Sequence, residues 1–266
     1  MQIATAGWGF RELSLPVYFK MVADLDIHCV EVNAQGYEEV PLHLDVSMGE
    51  EEINKVKEAA KEAGVEIFAL AGTNDFSVAE KELNGHIGRV KKTIDLASSI
   101  GAVIIRVFAG WVKAEDVTER LIDQVAECLE EVGEYARAKG ITIAMENHGG
   151  ITATASDCKK ILDKVKSSAV GLNYDPANFI AFGYGEDPLI GLEALSERIV
   201  YVHLKDCLKK EDRYEFTAVG GGGMNWEKLL PALSKVYDGY WAIEYEEPTN
   251  IREGTEQSLQ FLREKT

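Results

Sequence analysis

Four short apolar runs in this chain each end in a side chain able to bind a metal ion. They close on Glu146, Asp175, His203 and Glu244. Two glutamates, one aspartate and one histidine make a mostly oxygen donor set with a single imidazole. That set suits one divalent ion, Mn²⁺, Mg²⁺ or Co²⁺, and also Zn²⁺. Four protein ligands on one such ion leave octahedral positions open for the oxygens of a substrate. Taken singly, an acid at a strand end serves equally well as a helix cap or a loop ion pair. A lone histidine on an apolar strand serves as a structural residue. The four at equivalent places in consecutive runs point instead to one site.

The spacing says what must hold them. The gaps are 29, 28 and 41 residues. The first two are one strand–helix unit each, and the third is one unit plus an insertion at about residues 207–223. If the runs are neighbouring parallel strands, all four ligands lie at C-terminal ends and at one height. Side chains alternate along a strand, so two residues back lie Ala144, Asn173, Tyr201 and Ala242. The two alanines leave room beneath an ion.

The whole chain repeats this unit. Strands are expected at residues 2–6, 29–33, 66–71, 102–108, 142–146, 171–175, 200–204 and 241–245. Helices are expected at 12–25, 49–63, 78–99, 116–138, from a cap at Ser156 to 166, and at 188–197, 226–236 and 252–263. About 33 residues per unit matches the repeat of an α/β (β/α)8 TIM barrel. No linker or composition shift divides residues 1–266, so one domain is expected. An open doubly wound sheet is the rival fold, but no GxGxxG follows the first strand.

Charge and composition narrow the partners. A net charge of -17 argues against nucleic acid or an anionic membrane surface. No apolar run approaches a membrane span, and the N-terminus opens on a strand with no signal-peptide pattern. Cys29, Cys128, Cys158 and Cys207 form no CxxC pair, and unpaired thiols fit a reducing compartment. A cytoplasmic enzyme with a small-molecule substrate is therefore expected.

Longer motifs surround the four residues: Ala144-Met-Glu-Asn-His148, Gly171-Leu-Asn-Tyr-Asp-Pro-Ala-Asn178, Val202-His-Leu-Lys-Asp206 and Ala242-Ile-Glu-Tyr-Glu246. Through them the chain resembles the xylose-isomerase-like TIM-barrel superfamily of sugar and sugar-phosphate isomerases and epimerases. The likeness runs over essentially the full length and is strongest at residues 136–247. A further match is the glycine-rich run Val219-Gly-Gly-Gly-Gly-Met-Asn-Trp226. The resemblance implies that Glu146, Asp175, His203 and Glu244 hold one divalent metal, with Glu146 and Glu244 as the acid/base pair. It also admits a homo-oligomer, dimer or tetramer. Asn178 and Lys209 depart from the pattern, standing where free-ketose 3-epimerases have a histidine and an arginine.

The chemistry this implies is proton abstraction α to a carbonyl, through a metal-stabilised enediolate. A sugar or sugar-phosphate isomerase or epimerase is the leading expectation. The alternative is a dehydratase of keto-inositols or similar polyols. A hydrolase of the endonuclease branch and a non-catalytic sugar-binding barrel are the remaining readings. Five histidines and the acidic balance speak against the endonuclease branch. The expected substrate contacts are His148, Asn178, Lys205, Asp206, Arg106 and Trp111, with Asp206 also a candidate partner for the His203 ring. Trp8 and Phe76 are candidates for an apolar wall, and Glu31 and His43 for the barrel mouth. Lys205, Lys209 and the Gly220–Gly223 run are candidates for a phosphate.

Overall fold

Eight parallel strands close into a barrel in the computed structural model, which describes residues 1–34, 43–211 and 213–265. In chain order, β1 (Gln2–Thr5), β2 (Cys29–Asn33), β3 (Glu66–Ala71), β4 (Ile104–Phe108), β5 (Thr142–Glu146), β6 (Val170–Tyr174) and β7 (Ile199–Leu204) are its first seven staves. A separate antiparallel hairpin follows, β8 (Asp206–Lys210) with β9 (Arg213–Thr217), and β10 (Tyr240–Ile243) is the eighth stave. β10 pairs with both β7 and β1, so the last strand closes the ring onto the first. The chain is a single-domain TIM barrel.

The outer layer is α1 (Leu15–Ala23), α2 (Glu50–Ala63), α3 (Glu80–Ile100), α4 (Glu119–Arg137), α5 (Ala155–Leu162), α6 (Pro176–Ala181), α7 (Pro188–Leu195), α8 (Trp226–Val236) and α9 (Ile251–Lys265). Their boundaries follow from local chemistry. α2 and α3 stop at Gly64 and Gly101, whose φ values of 69° and 99° suit a residue without Cβ. The side chains of Thr118, Asp187 and Asn225 accept an N–H from the first turn of α4, α7 and α8. The cap of α5 is Thr154, not the expected Ser156. Thr154 has the extended backbone a cap needs and accepts from Asp157 N, whereas Ser156 already lies inside the first turn.

Two cores result. The larger lies between strands and helices. The smaller fills the barrel itself: Ala4, Ala6, Phe68, Ala69, Ile104, Ala144, Tyr201 and Ala242. Ala144, Tyr201 and Ala242 thus lie beneath the strand ends, in the layer expected from alternation. Two elements had no counterpart in the sequence expectations. α6 is a six-residue helix started by Pro176, with Asp175 as its cap. The insertion after β7 begins as the β8–β9 hairpin before the glycine run. Among the described residues, no helix is long and apolar enough to cross a membrane.

Candidate metal centre

Barrel closure brings four ligand atoms, one each from Glu146, Asp175, His203 and Glu244, within 4.8 Å of one another. Glu146 is the last residue of β5 and lies in register with Phe108 on β4 and Asn173 on β6. His203 on β7 is opposite Ala242 on β10. Glu244 extends β10 by one residue, its N–H donating to Leu204 O at 3.0 Å. Asp175 sits one residue past β6 and is clamped by Asn147. The Asn147 Nδ2 donates to Asp175 O and the Asp175 N–H donates to Asn147 Oδ1, both at 2.8 Å. Asp175 Oδ1 caps α6 by accepting from Asn178 N at 3.0 Å, which leaves Oδ2 facing the ring of ligands. All four side chains are buried.

The donor set fits a divalent cation. Asp175 Oδ2, His203 Nδ1 and Glu244 Oε2 are buried, and their contacts are the ion pairs with Lys205 and those between the imidazole and the carboxylates. His203 Nδ1 lies 3.3 Å from Glu146 Oε1 and 3.2 Å from Glu244 Oε2. Three carboxylates and an imidazole nitrogen so grouped fit a site for a hard or borderline metal.

Two fixed cations balance the carboxylates. Lys205 Nζ is 2.7 Å from Glu244 Oε2, 2.8 Å from Glu246 Oε1 and 3.1 Å from Asp175 Oδ2. Arg106 Nε is 3.3 Å from Glu146 Oε2, and its guanidinium lies over the Phe108 ring. Their effect on proton affinity is large. Burial works to raise Glu146, but Arg106 and His203 outweigh it and hold the carboxyl down at about 2. Burial likewise opposes Glu244, and Lys205 and His203 hold it well below the usual carboxylate range. Asp175 goes the other way. Burial pushes it up to about 7 against the pull of Lys205. Burial disfavours charge on His203, yet the surrounding carboxylates raise it well above an ordinary histidine. A proton and a divalent cation bound here would compete for the same Nδ1 lone pair.

A pocket of about 190 Å³ opens over these groups. Glu146, Glu244, Glu246, Lys205 and Arg106 form its polar wall, and Trp8, Phe108, Trp111 and His148 its aromatic wall. Trp111 is 44% exposed at the rim, within ring contact of Phe108 and His148. Of the expected substrate contacts, His148, Lys205, Arg106 and Trp111 therefore line the pocket. Asn178 lies one layer back, its Nδ2 donating to Glu146 Oε1 at 3.4 Å.

Asp206 is placed elsewhere. Its Oδ2 accepts from Gly220 N (3.0 Å), Gly222 N (3.2 Å) and Trp226 Nε1 (2.7 Å), and its Oδ1 from Cys207 N (2.8 Å). This corrects the expectation that Asp206 touches substrate or His203: the fully buried carboxylate is consumed by the glycine loop. The partner on the far nitrogen of His203 is Glu31, with Oε2 3.4 Å from Nε2. Phe76 is core, fully buried. His43 bridges Asn33 N and Phe10 O, and Lys209 is exposed on β8. Glu246 was missed, although its place two residues after Glu244 puts it on the same face of an extended segment.

Residues 19–265 match the family described as xylose isomerase-like TIM barrel. The chain belongs to that family. Among curated proteins it is similar to an inosose dehydratase of Bacillus thuringiensis (strain Al Hakam), 28% identical over 168 residues, 56% of each chain. The chain thus spans about half the length of the curated relatives it matches. Among solved structures it resembles a xylose isomerase domain protein from Planctomyces limnophilus, with TM-score 0.80, 20% identity, and 99% and 96% of the two chains covered. It also resembles D-psicose 3-epimerase from Clostridium cellulolyticum H10, with TM-score 0.77, 14% identity, and 100% and 99% covered.

Proposed function

We propose that this protein is a metal-dependent enzyme that removes a proton α to the carbonyl of a small, unphosphorylated polyol or sugar, and that loss of water from a keto-polyol is the favoured outcome. The observation that carries the reading is the group of Glu146, Asp175, His203 Nδ1 and Glu244 beneath a pocket lined by two fixed cations. A bound divalent cation would supply Lewis-acid stabilisation of the negative charge that develops as the proton leaves. Glu146 and Glu244 are assigned as the bases, since both face the pocket and both are held ionised. The proton taken from carbon is returned to the hydroxyl on the neighbouring carbon, which leaves as water, and Lys205 holds Glu244 and Glu246 in place beside it. Arg106 steadies the Glu146 carboxylate. The aromatic wall takes the C–H face of the substrate and restricts water.

Two features favour dehydration over 3-epimerisation. The position where a ketose epimerase carries its arginine is the exposed Lys209 here, while Lys205 supplies the cation in the pocket. The curated relative's name points the same way. The glycine loop supports a substrate without phosphate. Its N–H groups converge on Asp206, so the chain's own carboxylate takes the place a phosphate would need. Isomerisation by the same two bases is the second reading, supported by their common access to one pocket. The unpaired cysteines are consistent with a cytoplasmic enzyme.

The deciding experiment supplies Mn²⁺ and screens inososes, ketoses and ketose phosphates in deuterated water. The expected result is deuterium uptake with a product lighter by one water from an inosose. Uptake without mass loss selects isomerisation or epimerisation. No uptake from any ketone sinks both. Metal analysis is expected to give about one ion per chain, as one four-ligand cluster requires.

A further inference from the structure

Glu31 lies in β2, far in sequence from the four ligands, yet it ends against one of them. Its side chain is fully buried in the barrel mouth. Oε2 is 3.4 Å from His203 Nε2, and Oε1 accepts the Gly7 N–H at 3.2 Å. Gly7 is itself held, because Asn33 Nδ2 donates to Gly7 O at 2.8 Å. A Cβ on Gly7 would meet Glu31 O at 2.9 Å and Asn33 Oδ1 at 3.0 Å, so only glycine lets this loop close on the carboxylate. Tyr18 Oη donates to Glu31 O at 3.0 Å and fixes the backbone. The Tyr201 ring stands edge-on to the imidazole at 4.9 Å and bars it from tilting into the barrel.

A neutral imidazole carries one N–H and one lone pair, and its surroundings decide which nitrogen has which. Nδ1 faces Glu146 and Glu244, while Nε2 faces only Glu31 among the acids of the described residues. We propose that Glu31 is a positioning residue for His203. It accepts from Nε2–H, so that the Nδ1 lone pair points into the ring of carboxylates. Glu31 does this whether Nδ1 holds a proton or a metal ion. The inference rests on the metal reading of the site and adds to it the residue that orients the imidazole. Partners of this kind orient metal-bound histidines and raise their basicity, and losing one typically weakens metal affinity by about 10–100-fold.

The test uses Zn²⁺ alone as probe, on full-length protein stripped of metal. Zn²⁺ affinity is measured by chelator competition for wild type, Glu31→Ala and Glu31→Met. Both variants remove the acceptor, and the Met variant keeps most of the volume should Ala not fold. Long-range ¹H–¹⁵N spectra of the Zn²⁺-loaded wild type report which His203 nitrogen carries the proton. There are only five histidines, so each is assigned by single substitution. The expected results are a proton on Nε2 and a tenfold or greater loss of affinity in the variants. A proton on Nδ1, or wild-type affinity in a folded variant, overturns the role of Glu31. A wild type that binds no Zn²⁺ instead overturns the metal reading, and the proposal with it.

Discussion

Replacing Lys205 by methionine separates a metal centre from a buried salt-bridge network. Lys205 is 1% exposed, and its ammonium touches Asp175, Glu244 and Glu246 at 3.1, 2.7 and 2.8 Å. At an effective dielectric of about 20, a unit pair 2.7 Å apart attracts by about 6 kcal/mol. Desolvation of the ammonium offsets much of this, and removing one partner of a buried pair costs about 3–5 kcal/mol in practice. Methionine keeps most of the stem's packing, so the loss is electrostatic. Without metal, Lys205→Met should lose about 3–5 kcal/mol of unfolding free energy. A divalent ion held by Asp175 and Glu244 neutralises two of the three carboxylates left behind. With saturating Mn²⁺ the loss should therefore shrink by at least about 1.4 kcal/mol, which appears as roughly tenfold tighter Mn²⁺ binding by the variant. Urea unfolding followed by circular dichroism, with Mn²⁺ and with EDTA, reads both values. An equal loss under the two conditions would refute a cation at these carboxylates, and a loss below about 1 kcal/mol without metal would refute the electrostatic account itself.

Other perturbations bear on separate parts of the site. Glu146→Gln and Glu244→Gln should each cut turnover by about 10²–10⁴-fold while the thermal unfolding transition persists, and a variant of wild-type rate removes that residue from the chemistry. Asp206→Ala leaves Gly220 N, Gly222 N and Trp226 Nε1 without their acceptor, so unfolding free energy should fall by about 3 kcal/mol or more. A loss under 1 kcal/mol would mean that the loop does not depend on Asp206. Burial lowers His43 below the ordinary histidine value of 6.5, against the backbone of Phe10 and Leu13, which favours the charged form. The unfolded chain then binds more protons than the folded one below pH 6.5. This stabilisation is present above 6.5 and is lost as pH falls through the folded value, with a slope of at most about 1.4 kcal/mol per pH unit. His43→Gln should remove that contribution, and identical pH–stability slopes in the two proteins would exclude it.

How far the sequence reached depended on the distance over which a pattern acts. Glu146, Asp175, His203 and Glu244 were legible because a strand repeats every two residues and a strand–helix unit has a narrow length. Three successive gaps then fixed four side chains at one height. The layer of Ala144, Tyr201 and Ala242 followed from the same alternation. The β8–β9 hairpin was not legible. Its strands mix charged and apolar residues and pair only with each other, so neither shows the apolar run of a buried stave. Asp206 was misread because its adjacency to His203 in sequence says nothing about the Gly220–Gly222 loop that closes over it.

Glu31 and Trp8 were placed at the barrel mouth from sequence, Trp8 as pocket wall, but what Glu31 touches there was not legible. Both come from the first two units, whereas all four ligands come from the last four. Only closure of β10 onto β1 carries the N-terminal units round to the ligands, and closure leaves no local signature in either strand. The two halves of the chain therefore contribute differently. The second half supplies the ligand atoms at positions set by repeat length. The first supplies Trp8 for the pocket wall and Glu31 for the imidazole, at positions set by the diameter of the closed ring. A change that loosens the β1–β10 seam should consequently disturb His203 and the pocket wall before it disturbs the mutual register of β5, β6 and β7, whose pairing is independent of that seam.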